Sequence, residues 1–144
     1  MRIRLLKSSD IPQASAIVGL NYSRKYQRLC ALELGGMFSN APVRPVYFVA
    51  EENERIVGLI GMTLSWMDYN VYQIFWVNVM PSKQGQGIGR RLVKRAFAEI
   101  GKNKKASLIQ LTANPRNSIY YKQFGFKILQ KFNPNYFLMS LSLR

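Results

Sequence analysis

Apolar and polar positions along this chain change period several times, and each change marks an element. Arg2-Ile3-Arg4-Leu5-Leu6 is short and β-compatible, a first strand. Ser9 or Asp10 is placed to cap a helix whose first turn holds Pro12 and which continues through ASAIVGLNYSRKY. A second helical stretch, RKYQRLCALEL, stops at Gly35 and Gly36, and proline and asparagine make SNAPVRP a loop. VYFVAEE and RIVGLIGMTLSW flank Asn53-Glu54 and read as a hairpin. VYQIFWVNVM is apolar almost throughout and rich in β-branched and aromatic residues, the pattern of a buried central strand.

The period then becomes helical. Ile88, Leu92, Val93, Ala96, Phe97 and Ile100 share one face, cations occupy the other, and Gly101 is placed to end the helix. SLIQLTA is a further strand. Asn114 and Pro115 form a cap and first position for a helix that Gly125 stops after RNSIYYKQF. FKILQKF and YFLMSLSL pair around NPN as a terminal hairpin. The order β-α-α-β-β-β-α-β-α-β-β, with no repeat or linker, predicts a single domain over 1–144, a mixed α/β sandwich.

Composition narrows the chemistry. The chain has 21 Lys and Arg against 7 Asp and Glu, a formal charge of +14, which favours anionic partners and says little about fold. It has no histidine, so no mechanism can rest on a histidine base, triad or ligand. No Cys/His cluster exists to hold a metal, and the lone Cys30, beside Leu29, Ala31 and Leu32, reads as a small buried hydrophobe. The amino terminus meets charge too early for a signal peptide, and the run IVGLIGMTL is too short to span a bilayer. The expectation is a cytoplasmic protein without membrane contact.

The stretch MPSKQGQGIGRRLVKR, residues 80–95, carries the functional signal. A strand that ends in a glycine-rich turn and opens a helix offers unpaired N–H groups at a positive dipole end, where phosphate binds. A dinucleotide fingerprint fails because Arg90 stands where its third glycine belongs, and the P-loop spacing fails as well.

What fits is Gln84-x-x-Gly87-x-Gly89, followed by Asn114 seven residues before Tyr121, with Tyr121 directly before KQFGF. Together with the VAEENERIVGLIG hairpin, and over essentially the whole chain, this resembles the GNAT superfamily of N-acetyltransferases. The resemblance implies the GNAT acyltransferase fold, a mixed central sheet of six to seven strands flanked by about four helices. It also implies acetyl-coenzyme A as donor. The amides of Gln84, Gly85, Gln86, Gly87, Ile88, Gly89 and Arg90 would cradle its pyrophosphate, with Arg91, Lys94 and Lys122 as further candidate contacts. Backbone groups of Val77, Asn78 and Val79 would pair with the pantetheine arm. Asn114 would touch that arm or the cofactor tail, a role that competes with capping. Tyr121 would be the acid that serves the departing thiolate, with Tyr120 turned away from it by about 100°. A backbone N–H near Val79 would stabilise the oxyanion.

The reaction so implied is direct attack of a primary amine, on a small molecule or a protein or peptide, upon the thioester. Glu33, Glu51, Glu52 and Asp68 are available as base, but no signature fixes one. By the family's geometry the acceptor site would draw on Tyr22, Arg24, Lys25, Tyr26 and Arg28, with Trp66, Tyr69 and Tyr72. Cations among aromatics also suit an RNA-borne amine such as aminoacyl-tRNA, or a non-catalytic module binding acyl-CoA or nucleic acid. Seven acids in all tilt the reading away from polycationic small molecules. A homodimer is left open.

Overall fold

The computed structural model describes residues 1–144. Seven strands form one sheet: β1 (Arg2–Leu5), β2 (Val46–Glu52), β3 (Arg55–Leu64), β4 (Val71–Val79), β5 (Leu108–Ala113), β6 (Lys127–Asn133) and β7 (Tyr136–Ser142). Four helices cover it: α1 (Ile11–Asn21), α2 (Arg24–Gly35), α3 (Ile88–Ile100) and α4 (Pro115–Lys122). The sheet order is β1-β2-β3-β4-β5-β7-β6, antiparallel except where β4 meets β5. This is the mixed seven-strand, four-helix architecture expected. No helix is long and apolar enough to cross a membrane.

The sheet divides the core. α3 packs on β2, β3 and β4 over a cluster that includes Phe48, Ile60, Leu92, Val93 and Phe126, all nearly inaccessible to solvent. α1 and α2 cover the other face over Leu6, Ile17, Val18, Leu34 and Leu59. Along β2 the sides alternate as strand geometry requires, Tyr47 and Val49 towards α1 and α2, Phe48 and Ala50 towards α3. In β3, Ile56 and Leu59 nonetheless share one face, because the register with β2 skips a residue beside Ala50 and Glu51.

Local signals set most boundaries. Asn53 and Glu54 both take positive φ, 52° and 65°, the left-handed pair that a two-residue hairpin turn demands. The expected run through Ser23 to Tyr26 is interrupted. α1 stops at Asn21, and Ser23 caps α2 by accepting from the Tyr26 N–H. Asp10 does not cap α1 with its side chain. Its carboxylate accepts instead from the Lys7 N–H and from the Arg4 guanidinium at 2.7 Å each.

The fully buried central strand is the expectation that changes most. β4 pairs with β5 only at Val71, Tyr72 and Gln73, and the strands then part. Between Gly61↔Phe75 and Leu59↔Asn78, the single residue Ile60 faces two residues of β4, Trp76 and Val77. Trp76 sits there at φ 51°. This bulge turns Phe75 and Trp76, neighbours in sequence, onto the same α1–α2 face. Splay and bulge together open a cavity on each side of the strand end.

Candidate active site

The larger opening is a cleft of about 700 Å³ between the end of β4, the glycine loop and α4. At its floor α3 begins with Gly87 at φ 82°, preceded by Gly85 at φ 80°. A side chain at either position would enter open space, so backbone angle, not crowding, requires glycine here. No acceptor within the protein takes the N–H groups of Gly85, Gln86, Gly87, Ile88, Gly89 or Arg90. The first amide to find one is Arg91, bonded to the Gly87 carbonyl at 3.1 Å. Six consecutive free donors at a helix start, with Lys83, Arg90 and Arg116 along the walls and no acid, make a site for an anion.

A side-chain brace fixes this loop to the strand. The Gln84 amide group donates to the Val79 carbonyl at 3.1 Å and to Asn21 Oδ1 at 3.2 Å. Asn21, at the end of α1, donates to the same carbonyl and to Asn78 Oδ1, each at 3.0 Å. Gln84 therefore contributes through its side chain, while its own N–H is turned to the Pro81 carbonyl at 3.5 Å. The cradle of amides starts at Gly85, one residue later than expected. The Val79 carbonyl is already engaged on two sides.

The second opening, about 420 Å³, lies on the α1–α2 face between the parted strands. It joins the cleft, since Tyr22, Val77, Asn78, Asn117 and Tyr121 line both. Tyr121 is only 9% exposed. Burial, then the neighbouring Tyr120 and Tyr22 hydroxyls, push its pKa well above the ordinary phenol value, so it stays protonated. Trp76 and Glu33 line the same pocket, joined by a bond from Trp76 Nε1 to Glu33 Oε1 at 2.9 Å.

A family model for the acetyltransferase (GNAT) domain matches residues 44–128, which hold β2 through the start of β6 and all of the glycine loop. The chain belongs to the GNAT acetyltransferase family. Solved structures agree on the fold across the whole length of this GNAT chain. A protein from Desulfovibrio desulfuricans assigned to the GNAT family is 13% identical, with a TM-score of 0.88 and 99% of each chain covered. An aminoglycoside 6′-N-acetyltransferase complexed with coenzyme A is 16% identical at a TM-score of 0.82, covering 100% of this chain and 98% of its own. PaiA N-acetyltransferase from Thermoplasma acidophilum, in complex with coenzyme A, is 19% identical at 0.72, with 99% of each covered. A search of curated proteins found no match.

Most of the sequence-derived residues converge on the cleft of this GNAT domain. Val77, Asn78 and Val79 form one wall, Gln84, Gly85, Gly87, Ile88, Gly89 and Arg90 the floor, Asn114 and Tyr121 the other wall. Gln86 belongs to the same turn with its N–H free. Ile88 can offer only its amide, because its side chain is buried beneath α3. Asn114 caps α4, accepting from the Asn117 N–H at 2.7 Å, and still borders the cleft, so both roles considered for it are compatible. Tyr120 is not turned away from the cleft as expected. It lines it too, half-buried against Phe124 and facing Gly89, but it does not reach the second pocket.

Other expectations move. Arg91, Lys94 and Lys122 point to solvent away from the cleft, and Arg95 lies over the Phe48 ring at 4.3 Å and bonds Glu99. Arg116 and Lys83 take their place on the cleft wall. Of the aromatics expected near the acceptor, Tyr22 and Tyr26 line the pocket, Trp66 borders a neighbouring groove, Tyr72 is buried and holds Asn103, and Tyr69 borders none of these. Arg24, Lys25 and Arg28 lie outside the lining. Glu51 and Glu52 are tied to Arg4 and Lys83, and Asp68 accepts from the Asn70 N–H, which leaves Glu33 as the carboxylate at the pocket. Cys30 is buried with its thiol pushed up to about 12, remote from any nucleophilic role. Asn21 and Trp76 are what sequence reading missed: the one acts through a neighbouring strand, the other through a bulge.

Proposed function

We propose that the cleft binds acetyl-coenzyme A and that the chain transfers its acetyl group directly to a primary amine entering from the second pocket. The observation that carries this reading is the row of free amides from Gly85 to Arg90 at a helix start, the donors that a diphosphate accepts from. Family membership and the coenzyme A in two structurally similar proteins support it. Bound there, the donor supplies an activated thioester carbonyl, and the groups around it must orient that carbonyl and receive the thiolate.

Tyr121 stands where the cleft and the pocket meet, the position from which a hydroxyl can reach a sulfur between them. An ordinary phenol is about 1.5 units weaker as an acid than a thiol, so outright proton transfer costs roughly 2 kcal/mol before burial adds to it. Tyr121 therefore serves as a hydrogen-bond donor that stabilises negative charge on sulfur. Neither cysteine nor serine lines either cavity, which favours direct attack over a covalent acyl-enzyme.

Thiol release from acetyl-coenzyme A, measured with a panel of amines, tests the reaction. Tyr121→Phe should lower kcat by about 100-fold, within the range for loss of one donor to developing charge, and leave the Kd for coenzyme A within about twofold. Equal turnover by the two proteins would take Tyr121 out of the mechanism. Failure of coenzyme A to bind would remove the whole reading.

A further inference from the structure

In a chain with 21 cations, the pocket beyond Tyr121 has none: of its thirteen lining residues, no lysine or arginine is one, and the single charge is Glu33. The groove that continues from it past Glu33 and Phe75 towards Trp66 and Met67 again has no cation and no further acid. The opposite cleft has three cations in its lining and no acid, and two of them, Arg90 and Arg116, are in no ion pair, while Lys83 is tied to Glu52. The two ends of one continuous opening thus differ in electrostatic sign, and on a molecule this basic that difference is local and specific.

Half of the remaining wall is aromatic, and Ile74, Val77, Asn78, Leu111, Thr112 and Asn117 make up the other half. Tyr22 and Tyr26 meet edge to face with ring centroids 6.0 Å apart, and Phe75, Trp76 and Tyr136 line the same pocket as Glu33. Aromatic faces and one carboxylate together recognise a cation on an apolar body. The bond from Trp76 Nε1 occupies one oxygen of Glu33 and holds the carboxylate in place. A second ammonium on the same ligand would find only neutral oxygens and no second carboxylate. A carboxylate on the ligand would find no cation, and would face Glu33 as a like charge.

Resting on the acetyl-transfer reading above, we infer that the acceptor is a primary monoamine on an aromatic or similarly apolar body, with neither a carboxylate nor a second cation. Glu33 draws its ammonium into the pocket, and the rings of Tyr22, Tyr26 and Trp76 hold its body. The amine must shed its proton before attack, and water or Glu33 accepts it. Nitrogen then bonds the acetyl carbon, the carbon–sulfur bond breaks with its electron pair on sulfur, and the second proton that nitrogen sheds in becoming an amide passes through water to the thiolate.

The test has two arms. Calorimetry with phenethylamine, phenylalanine and spermidine, in the presence and absence of coenzyme A, reads binding without turnover. Thiol release with the same three amines reads transfer. Phenethylamine should bind and react with kcat/KM about tenfold or more above either competitor, the effect of one unpaired or repelled charge. Glu33→Gln, which keeps an oxygen for Trp76, should raise the phenethylamine Kd about tenfold and leave coenzyme A binding unchanged. Selective phenethylamine binding without thiol release would retain this pocket assignment and remove acetyl transfer. Thiol release that runs equally well on phenylalanine or spermidine, or a Glu33→Gln protein with unaltered amine affinity, would retain transfer and overturn the acceptor class.

Discussion

Two adjacent tyrosines show how much one residue's setting decides. Tyr120 and Tyr121 both border the cleft, but only Tyr121 also borders the pocket and is almost fully buried. Desolvation raises both phenols, and in Tyr120 the nearby Arg90 works against that rise. A raised pKa keeps a proton in place to higher pH, so Tyr121 introduces no loss of activity as pH climbs through the ordinary phenol range. The expected profile of kcat/KM rises as the acceptor amine deprotonates, near ~10 for an alkylammonium, and shows no downturn up to about pH 10, where a phenol of ordinary pKa would be half ionised. Tyr120→Phe should keep that shape and most of the rate. A downturn below pH 10 that disappears in Tyr121→Phe would mean that Tyr121 ionises readily and that water reaches its hydroxyl. The sequence pointed to Tyr121 through its spacing from Asn114 and Gly125, but the difference between the two hydroxyls depends on what surrounds them, and no spacing encodes that.

Whole elements were legible where the signal is local. The Asn53-Glu54 turn, the Asn114-Pro115 helix start and the apolar stripe of α3 each follow from a few consecutive residues, and each stands where expected. The β4 bulge was not legible, because it exists only in the mismatch between one residue of β3 and two of β4. For the same reason the sequence offered Trp66, Tyr69 and Tyr72 to the acceptor and passed over Trp76. The glycine loop lies between these cases. Its signature is readable, and the structure adds the reason for each part: Gln84 braces, while Gly85 and Gly87 supply left-handed backbone. Gly87→Ala tests that division. Nothing crowds the new methyl group, so the cost is conformational, about 1–2 kcal/mol of folding stability at φ 82°. Gly87 lines the cleft and the new methyl group enters open space, so coenzyme A bound there should lose about tenfold or more in affinity. Calorimetry and thermal unfolding separate the two effects. Unchanged coenzyme A affinity in a destabilised protein would show that the diphosphate lies elsewhere.

At the scale of the whole molecule, the excess of cations makes the few acids informative. β1 is a four-residue edge strand, and its attachment is reinforced by charge. Arg4, in its middle, reaches Asp10 before α1 at 2.7 Å and Glu51 on β2 at 2.9 Å, so one guanidinium ties edge strand, helix start and neighbouring strand together. Arg4 and Asp10 are largely shielded from water, and hydrogen bonds from Arg4 hold the Asp10 and Glu51 carboxyls below their ordinary range. Carboxyls depressed in this way stabilise the fold fully above their unfolded pKa, near ~4, and lose that contribution as pH falls through their lower folded values. Protonation also removes negative charge from a molecule already at +14, so repulsion grows over the same interval. Asp10→Asn should therefore cost about 2 kcal/mol at pH 7, the worth of a hydrogen bond to a charged group, and flatten the loss of stability below pH 4. Urea unfolding from pH 7 down to pH 3 measures both. If Asp10→Asn matched the parent protein at pH 7 and kept the same acid limb, Asp10 would add nothing to the attachment of the edge strand, and the acid sensitivity would belong to Glu51 and to net charge.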